Sequence, residues 1–482
     1  MTGSPMSQHY SVSDMTLVDP ETWQAAAMEL AAGTSMFVAI WAERDGDAGV
    51  VHLAGRRDGG AAAEVVSLVT SGLHFPSIGR HHPSAILMER AIQDLHGLIA
   101  DGLPDPRPWL DHRSTYEFKP VIGAGVHQIP VGPVHAGTIE PGHFRFSVNG
   151  ETIVRLETRL GYTHKGTLGL MRGKPINQAA QLAGRVSGDS TVAYAFAFVR
   201  AVEQALGVVV PPRTIVLRGI MAELERLANH FGDLGAICND AGFPLINAHG
   251  AVLRERVLRL SAACFGHRLM MDRIVPGGVA VDLADGDTKA LTTALPALLA
   301  QFERLVELYD KTASLQDRVV GTGRLDPAIA RRLGCGGPVG RASGQDFDAR
   351  RDISYLPYDI LPIVVPCFTS GDVDARVRVR MVEIRQSVAL ILALLDTLPD
   401  GPLRTPLPDD ASPRAGSATV EGFRGDIFAH VRVSDGHVAG SFLRDPSWFL
   451  WPALEVAIEG NIVADFPLCN KSFNAGYSGC DL

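Results

Sequence analysis

Hydrophobic and polar positions change rhythm three times along the 482 residues. Between about residues 16 and 110, short β-like runs (SMFVAIWA, GVVHLAG) interleave with stretches of helical spacing (ETWQAAAMELAA, SAILMERAIQDLHGLI). This mixture predicts a small α+β domain, assigned to residues 16–125 and preceded by a flexible N-terminus, 1–15. The Pro/Asp-rich segment DGLPDPRPWLDH reads as its boundary or as an interdomain strap. In HFRFSVNGETIVRLETRLGYTHKG, two alternating strands flank Asn149-Gly150, a strong hairpin signal. From about 175, apolar residues recur at helical spacing on wide faces. The helical stretches include STVAYAFAFVRAVEQALG, TIVLRGIMAELERLANHFGDLGAICNDAG, AVLRERVLRLSAACFGHRLMM, TKALTTALPALLAQFERLVELYDKTASL and ARVRVRMVEIRQSVALILALLDTL. The end returns to β character in GDIFAHVRVSDGHVAGSFLRD, with a turn at Asp435-Gly436, followed by a last helix and a polar tail. Residues 126–482 are therefore assigned to a mainly α-helical domain with marginal β-hairpins, and the fold class is α+β.

Composition narrows the function. Hydrophobic residues at 46% and charged residues at 20% describe a folded chain. The net charge of −9, with no long Lys/Arg run, argues against nucleic acid as partner. The most apolar segment, SVALILALLDTL at 387–398, falls short of the ~20 residues of a membrane-spanning helix. The N-terminus carries no signal-peptide pattern, so a protein working at a membrane is expected to be held there by others. The six cysteines are scattered without a CxxC, which disfavours a zinc site and a disulfide framework and fits a reducing cytoplasm.

Several polar clusters have a structural reading. Glu223, Glu225, Arg226 and His230 share one helix at spacings that allow i,i+3 to i,i+7 contacts, as in a salt-bridged helix with a satisfied core histidine. Arg376, Arg378, Arg380 and Arg385, with Glu383, read as interhelical pairing. Gly277-Gly278 and Gly336-Gly337 read as turns. No Gly-rich sequence follows a strand in the dinucleotide-binding pattern.

The strings GPVHAGTIEPGHFRF, GYTHKG, AVEQALGVVVPPR, AELERLANH, GPVGRASGQDFDARRD and GDVDARVRVRMVEIRQS together resemble one family. It is that of the quinone-proximal large subunit of complex I and its energy-converting [NiFe]-hydrogenase relatives. Upstream, MERAIQDLHGLIADGLPDPRPW resembles the signature of the smaller complex I subunit that packs beside the large one. The chain thus resembles the fusion of the two found in hydrogenases of the formate hydrogenlyase type. The resemblance implies a peripheral subunit of an NADH:quinone oxidoreductase-like complex on the cytoplasmic side of the membrane. The implied partners are an iron–sulfur small subunit and membrane subunits of the proton-channel and antiporter types. Electrons would pass towards a quinone or another acceptor, coupled to ion translocation.

The same resemblance locates a nickel–iron site and shows what this sequence lacks. Four soft thiolates are needed, from two CxxC pairs. Where relatives have an arrangement like RVCGIC, this chain has RVSGDS, placing Ser187 and Ser190 at both thiolate positions. Where relatives have one like DPCxxC, Gly476 and Gly479 stand at the corresponding places. A nickel–iron centre and hydrogenase activity are therefore not expected, and this chain is expected to bind no metal or cofactor itself, with an iron–sulfur cluster in the partner. Cys469 and Cys480 do not keep the ligand spacing.

In complex I a Tyr and a His hold the quinone headgroup; by register the Tyr position falls here on Gly188. The His element survives as His135 and His143. If the pocket does chemistry, His143 or His135 is the expected proton donor, with Asp189 setting its charge state. The alternative is that both histidines pin their loop through backbone hydrogen bonds. Under the family fold, Ser187, Asp189, Ser190, Asn474, Tyr477, Ser478 and Asp481 converge, with Arg185 nearby. A polar pocket of that kind must be filled by its own hydrogen bonds, by water or by a ligand. A non-catalytic scaffold or coupling subunit remains the second functional reading.

Overall fold

The computed structural model describes residues 15–46, 48–57, 62–113, 115–135, 139–408 and 412–482. Of the expected flexible N-terminus, all but Met15 lies outside the described residues. The first unit is a four-stranded sheet in the order Leu17–Val18, Glu64–Val69, Ala48–Arg57, Ser35–Asp45. The first pair is parallel and the others antiparallel. Helix Pro20–Ala32 starts where the Asp19 carboxylate accepts from the Thr22 amide and stops at Gly33, which takes the left-handed conformation.

The segment that resembles the smaller complex I subunit acquires a physical role here. Along helix Ile86–His96, the buried Glu89 accepts from the Ser77 hydroxyl and the Ile78 amide, both at 2.6 Å. The Arg90 guanidinium donates to the Arg107 and Pro108 carbonyls, and Asp94 accepts from the Trp109 and Leu110 amides at 2.6 Å. One helix thereby pins the Pro-rich strap across the face of the unit. Burial pushes the Glu89 carboxyl up to about 7 from 4.5, against the pull of those two donors. The folded state thus binds this proton more tightly than the unfolded state. The associated stability is complete below pH 4.5 and is lost as pH rises through 7. Glu89→Gln has the shape of the protonated acid without the titration. Relative to the parent, it is expected to gain on the order of 3 kcal/mol between pH 4.5 and 8. Urea unfolding at the two pH values measures this; a difference that does not change with pH refutes it.

The Asn149-Gly150 hairpin forms as expected, from His143–Asn149 and Thr152–Arg159. A third strand, Val126–Val131, pairs with it; the hydrophobic pattern gave no sign of this strand because it lies largely exposed at the sheet edge. Likewise the expected hairpin near 425–445 gains Arg414–Gly422 as a third strand.

Between these sheets lie the helices. Helix Thr191–Leu206 is buried except at Arg200 and Gln204, and packs on strands Arg414–Gly422 and Gly425–Ser434. Helices Pro212–Asp240, Pro244–Phe265, Asp285–Lys311 and Val373–Asp396 build the bundle. The helix expected over 251–271 instead begins at Pro244 and stops at Phe265, because Gly266 takes a left-handed C-cap. The one expected over 288–315 breaks at Thr312. The single final helix becomes three: Ser447–Ala457, Phe466–Phe473 and the short turn Ser478–Asp481. The two units share a core, where Trp41 stacks on Phe442 at 5.0 Å and Glu43 pairs with Arg432 at 2.6 Å.

The charged strings of the bundle prove to be one buried network. Arg350 pairs with Asp348 at 2.7 Å and with Glu223 at 3.1 Å. Arg341 contacts Asp348, Glu383 and Glu421, and Glu383 also meets His230 Nε2 at 2.8 Å. All of these residues except Glu421 are 1% exposed or less, and Glu421 is 2% exposed. Of the expected interhelical arginines, Arg380 reaches Asp233, Arg385 reaches Glu303, and Arg378 reaches Asp310 as well as Asp374 of its own helix, whereas Arg376 donates to the Ser472 hydroxyl and to the Gly371 and Gly323 carbonyls.

Candidate functional site

The turn Gly188–Ser190 sits at the N-terminus of helix Thr191–Leu206, which has no side-chain cap of its own. Glu225, from helix Pro212–Asp240, supplies one: its carboxyl accepts from the Val192 amide at 2.7 Å and the Ala193 amide at 3.0 Å. Asn229, one turn further on, donates to the Asp189 carbonyl at 2.8 Å. The turn is thus held from below by one helix face. Burial pushes Glu225 up to about 8, against the two amides, so it keeps a proton at neutral pH.

Above the turn stands Arg424, in the tight connection between Arg414–Gly422 and Gly425–Ser434. Its guanidinium grips Asp189 with both nitrogens, at 3.0 and 2.5 Å, and donates to the Ser190 hydroxyl at 3.1 Å. Its Nε donates to the Asn474 carbonyl at 2.5 Å. The Ser187 hydroxyl completes the set by donating to Asp189 at 2.5 Å. Burial raises the Asp189 carboxyl, but the Arg424 charge and these donors overcome it and hold the group at about 2. Asp189 is therefore a fixed anion and Arg424 a fixed cation, in a bidentate pair of the strong type.

Asn474 links this pair inward. Its amide donates to Asp233 at 2.9 Å, and Asp233 receives Arg380 at 3.1 Å and lies 3.8 Å from His230 Nδ1. His230 then meets Glu383, so polar groups lead from Asp189 to the buried network of the bundle, with Asp233 and His230 Nδ1 facing each other beyond hydrogen-bond distance.

The C-terminal segment closes the site. The Gly476 amide donates to the Ser447 hydroxyl at 2.8 Å and its carbonyl accepts from Trp451 Nε1 at 3.0 Å. A Cβ at Gly476 would meet Ser447 at 3.6 Å and Arg424 at 3.8 Å, ordinary contacts. At Gly479 it would lie 2.5 Å from the Asp445 carboxyl carbon and 2.8 Å from Asp445 Cβ. Asp445 cannot easily yield, since Tyr194 and the Ser447 amide fix its oxygens at 2.5 and 2.7 Å.

Of the four positions that the resemblance matches to hydrogenase thiolates, Ser187, Ser190 and Gly476 lie about Arg424 and Gly479 lies against Asp445, and the residues there do not fit a nickel–iron group. Two offer hard hydroxyls, already engaged; two offer no side chain; and a guanidinium cation lies among them. Cys480 and Cys469 are buried, and burial raises both thiols, Cys469 to about 11. Gly479→Cys is expected to cost about 1–3 kcal/mol through overpacking against Asp445, while Gly476→Cys should be close to neutral. Melting curves of the two variants in one complex decide this; equal stability overturns it.

The remaining expected site residues fall into two groups. Ser187, Asp189, Ser190, Asn474 and Gly476 gather around Arg424, with open space where a Gly188 side chain would stand. Arg185 does not join them; it pairs with Asp272 at 2.6 Å and is half-exposed. Asp481 turns away to accept from the Gly161 and Thr163 amides, and Ser478 contacts Glu140 at 3.3 Å. Tyr477 packs on Trp451 and against Gly142, where a Cβ would lie 2.5 Å from its ring; this joins the histidine loop to the C-terminal segment.

The histidines themselves face their own loop. His135 Nε2 meets the Gly142 carbonyl at 2.8 Å, and His143 Nδ1 meets the Gly132 carbonyl at 3.3 Å. Burial and the nearby Arg145 lower the His143 pKa, so its ring is neutral at pH 7. Asp189 is paired with Arg424, not with either ring. Arg424, Asp233 and Asp445 escaped the sequence reading, and Glu225 was read only as part of a salt-bridged helix; the available signal was an arginine in the short turn EGFRGD between two strands.

A mainly helical large unit joined to a small α+β unit defines the class. The chain belongs to the family of the 49 Kd subunit of respiratory-chain NADH dehydrogenase, whose model matches residues 240–418, and residues 16–121 match that of the 30 Kd subunit. It is 32% identical to formate hydrogenlyase subunit 5 of Escherichia coli (strain K12), over 84% of this chain and 77% of that protein. It is also 31% identical to the carbon monoxide-induced hydrogenase of Rhodospirillum rubrum, over 72% of this chain and 97% of that one. Among solved structures, a chain of the membrane-bound sulfane sulfur reductase, an archaeal respiratory membrane complex, matches with a TM-score of 0.71 and 25% identity. The match covers 75% of this chain and 100% of that one. The chain is therefore of the oxidoreductase family, with the two complex I-type units fused. No helix among the described residues is long and apolar enough to cross a membrane.

Proposed function

We propose that this chain is the peripheral large subunit of a membrane-attached, complex I-like oxidoreductase complex, working on the cytoplasmic side without a nickel–iron centre. Electrons arrive through an iron–sulfur small subunit seated against the Ser187–Ser190 and C-terminal segments. They pass towards a quinone or another acceptor, coupled to ion translocation by proton-channel and antiporter-like membrane subunits. The observation that supports the reading is the Asp189–Arg424 pair, which engages Ser187 and Ser190 and leads through Asn474 and Asp233 towards His230 and Glu383. A change of charge beside Arg424 is felt by that network. In this reading Asp189 orients Arg424 towards an anionic or reduced acceptor, and Glu225 keeps a proton within the same neighbourhood.

A sulfur acceptor is the second reading, favoured by the likeness to the sulfane sulfur reductase chain along its full length. Purification through a tag on this chain tests both. The expected complex contains iron–sulfur and membrane subunits, holds iron without stoichiometric nickel, and reduces a soluble quinone or polysulfide. About one nickel per chain with hydrogen uptake, or a monodisperse monomer with no affinity for the small subunit, overturns the proposal.

A further inference from the structure

Away from this site, a cleft of about 910 Å³ opens between the two units. The small unit contributes Arg56 and Arg57 from the end of its central strand; the large unit contributes Arg331 and Arg332 from helix Pro327–Arg332 and Arg444 from the last strand. Three carboxylates also line it, but all are engaged. Asp426 is held by Arg444 at 2.5 Å, and Asp346 and Asp352 are held by Arg351 at 2.8 and 2.9 Å. Arg57 has only a loose, exposed contact with Glu64 at 3.7 Å.

Arg56 is the telling residue. It is 6% exposed, lies 4.2 Å over the Phe347 ring, and has as its hydrogen-bond partner the Met36 sulfur at 3.3 Å. A thioether is a weak acceptor for one of five guanidinium donors. Among the described residues no carboxylate lies within 4.0 Å of the Arg56, Arg331 or Arg332 guanidinium. Buried charges in folded proteins are usually paired directly, but the carboxylates nearest Arg56, Asp426 and Asp352, are committed to Arg444 and Arg351, so Arg56 faces the cleft with no carboxylate in contact. Planar guanidinium forks match phosphate oxygens in pairs, whereas lysine offers a point charge, and this cleft is built from arginine. Its volume lies at the upper end of small-molecule sites, too large for a lone phosphate.

We propose that the interdomain cleft binds a small phosphate-bearing ligand of nucleotide size, with Arg56 as the buried anchor and Arg331 and Arg332 as the outer contacts. Because the arginines come from both units, the ligand ties the small unit to the large one. This places an effector site at the joint between the complex I-type modules, independent of the Asp189–Arg424 site.

The intact complex, purified through this chain, is titrated calorimetrically with ADP, ATP, pyrophosphate and adenosine. ADP or ATP is expected to bind below about 1 mM and adenosine not measurably, with affinity falling about tenfold or more in Arg331→Ser/Arg332→Ser and in Arg56→Gln. The double variant lies on the surface, so the test survives if Arg56→Gln fails to fold. Pyrophosphate binding as tightly as ADP supports recognition through phosphate alone. No binding by any phosphate compound at millimolar concentration, binding unchanged in the variants, or a cross-linked acidic segment of a partner filling the cleft overturns the proposal.

Discussion

Replacing Arg424 by methionine is expected to lower acceptor-linked turnover of the intact complex by about 10²–10³-fold, the usual loss when one preorganised cationic donor leaves an active site. Arg424 brings the turn at 187–190, the C-terminal segment at Asn474 and the bundle network to one guanidinium. Methionine matches its length and apolar stem, so the backbone around it has little reason to move. Without the guanidinium, only the Ser187 and Ser190 hydroxyls offset the burial that raises Asp189, and its titration moves up from about 2 towards the assay range. Residual activity in the variant should therefore depend on pH where the parent does not, which a merely structural role does not produce. Arg424→Lys keeps the charge but loses the fork, and should fall between the two. Normal turnover with a lowered melting temperature would falsify the catalytic reading and favour a scaffold or coupling role.

The parts of this protein that were legible in its sequence are those whose cause is local. Asn149-Gly150 declares its hairpin because the turn needs residues that accept positive φ, and Gly150 takes φ 61°. The absence of thiolates was legible because two ligand pairs have fixed spacing, and the structure brings Ser187, Ser190, Gly476 and Gly479 into one neighbourhood. Strand Arg414–Gly422 was not legible, since RAGSATVEG is small and polar. It is a strand because Gly425–Ser434 pairs with it and because Gly416 lets helix Thr191–Leu206 approach. Arg424 was hidden for the same reason in stronger form. An arginine in a turn reads as a solvated charge, and only the meeting of residues 189, 190, 424 and 474 makes it the centre of the site. The histidine loop shows the converse. His135 and His143 sit where the family resemblance puts proton donors, yet each ring is directed at a carbonyl of its own loop.

The stability of the bundle is expected to hinge on Arg350. It is fully buried, its donors divide between Asp348 and Glu223, and it lies 5.9 Å from the Tyr358 ring centre. Glu223 also accepts from the Tyr358 and Ser387 hydroxyls, at 2.7 and 2.6 Å, so its carboxylate is committed to this spot. Burial works against both acids, and the arginine charges more than offset it, holding Asp348 and Glu223 below the usual carboxylate range. The stability these acids contribute is therefore present above their unfolded values, near 4, and lost as pH falls through the lower folded ones. Arg350→Met removes part of the compensation, leaving Asp348 to Arg341 and Glu223 to Arg226 with fewer donors each, at a cost of about 3–5 kcal/mol at neutral pH. Adding Glu223→Gln to that variant removes one of the under-compensated charges and should restore part of the loss; Glu223→Gln alone should destabilise, because Arg350 and Arg226 each lose a carboxylate partner. The double-mutant cycle, measured by urea unfolding of the co-expressed complex, separates pairing from simple loss of packing. Additive effects, or an Arg350→Met variant within about 1 kcal/mol of the parent, show that the network does not hold the bundle, and leave it to residue-by-residue packing.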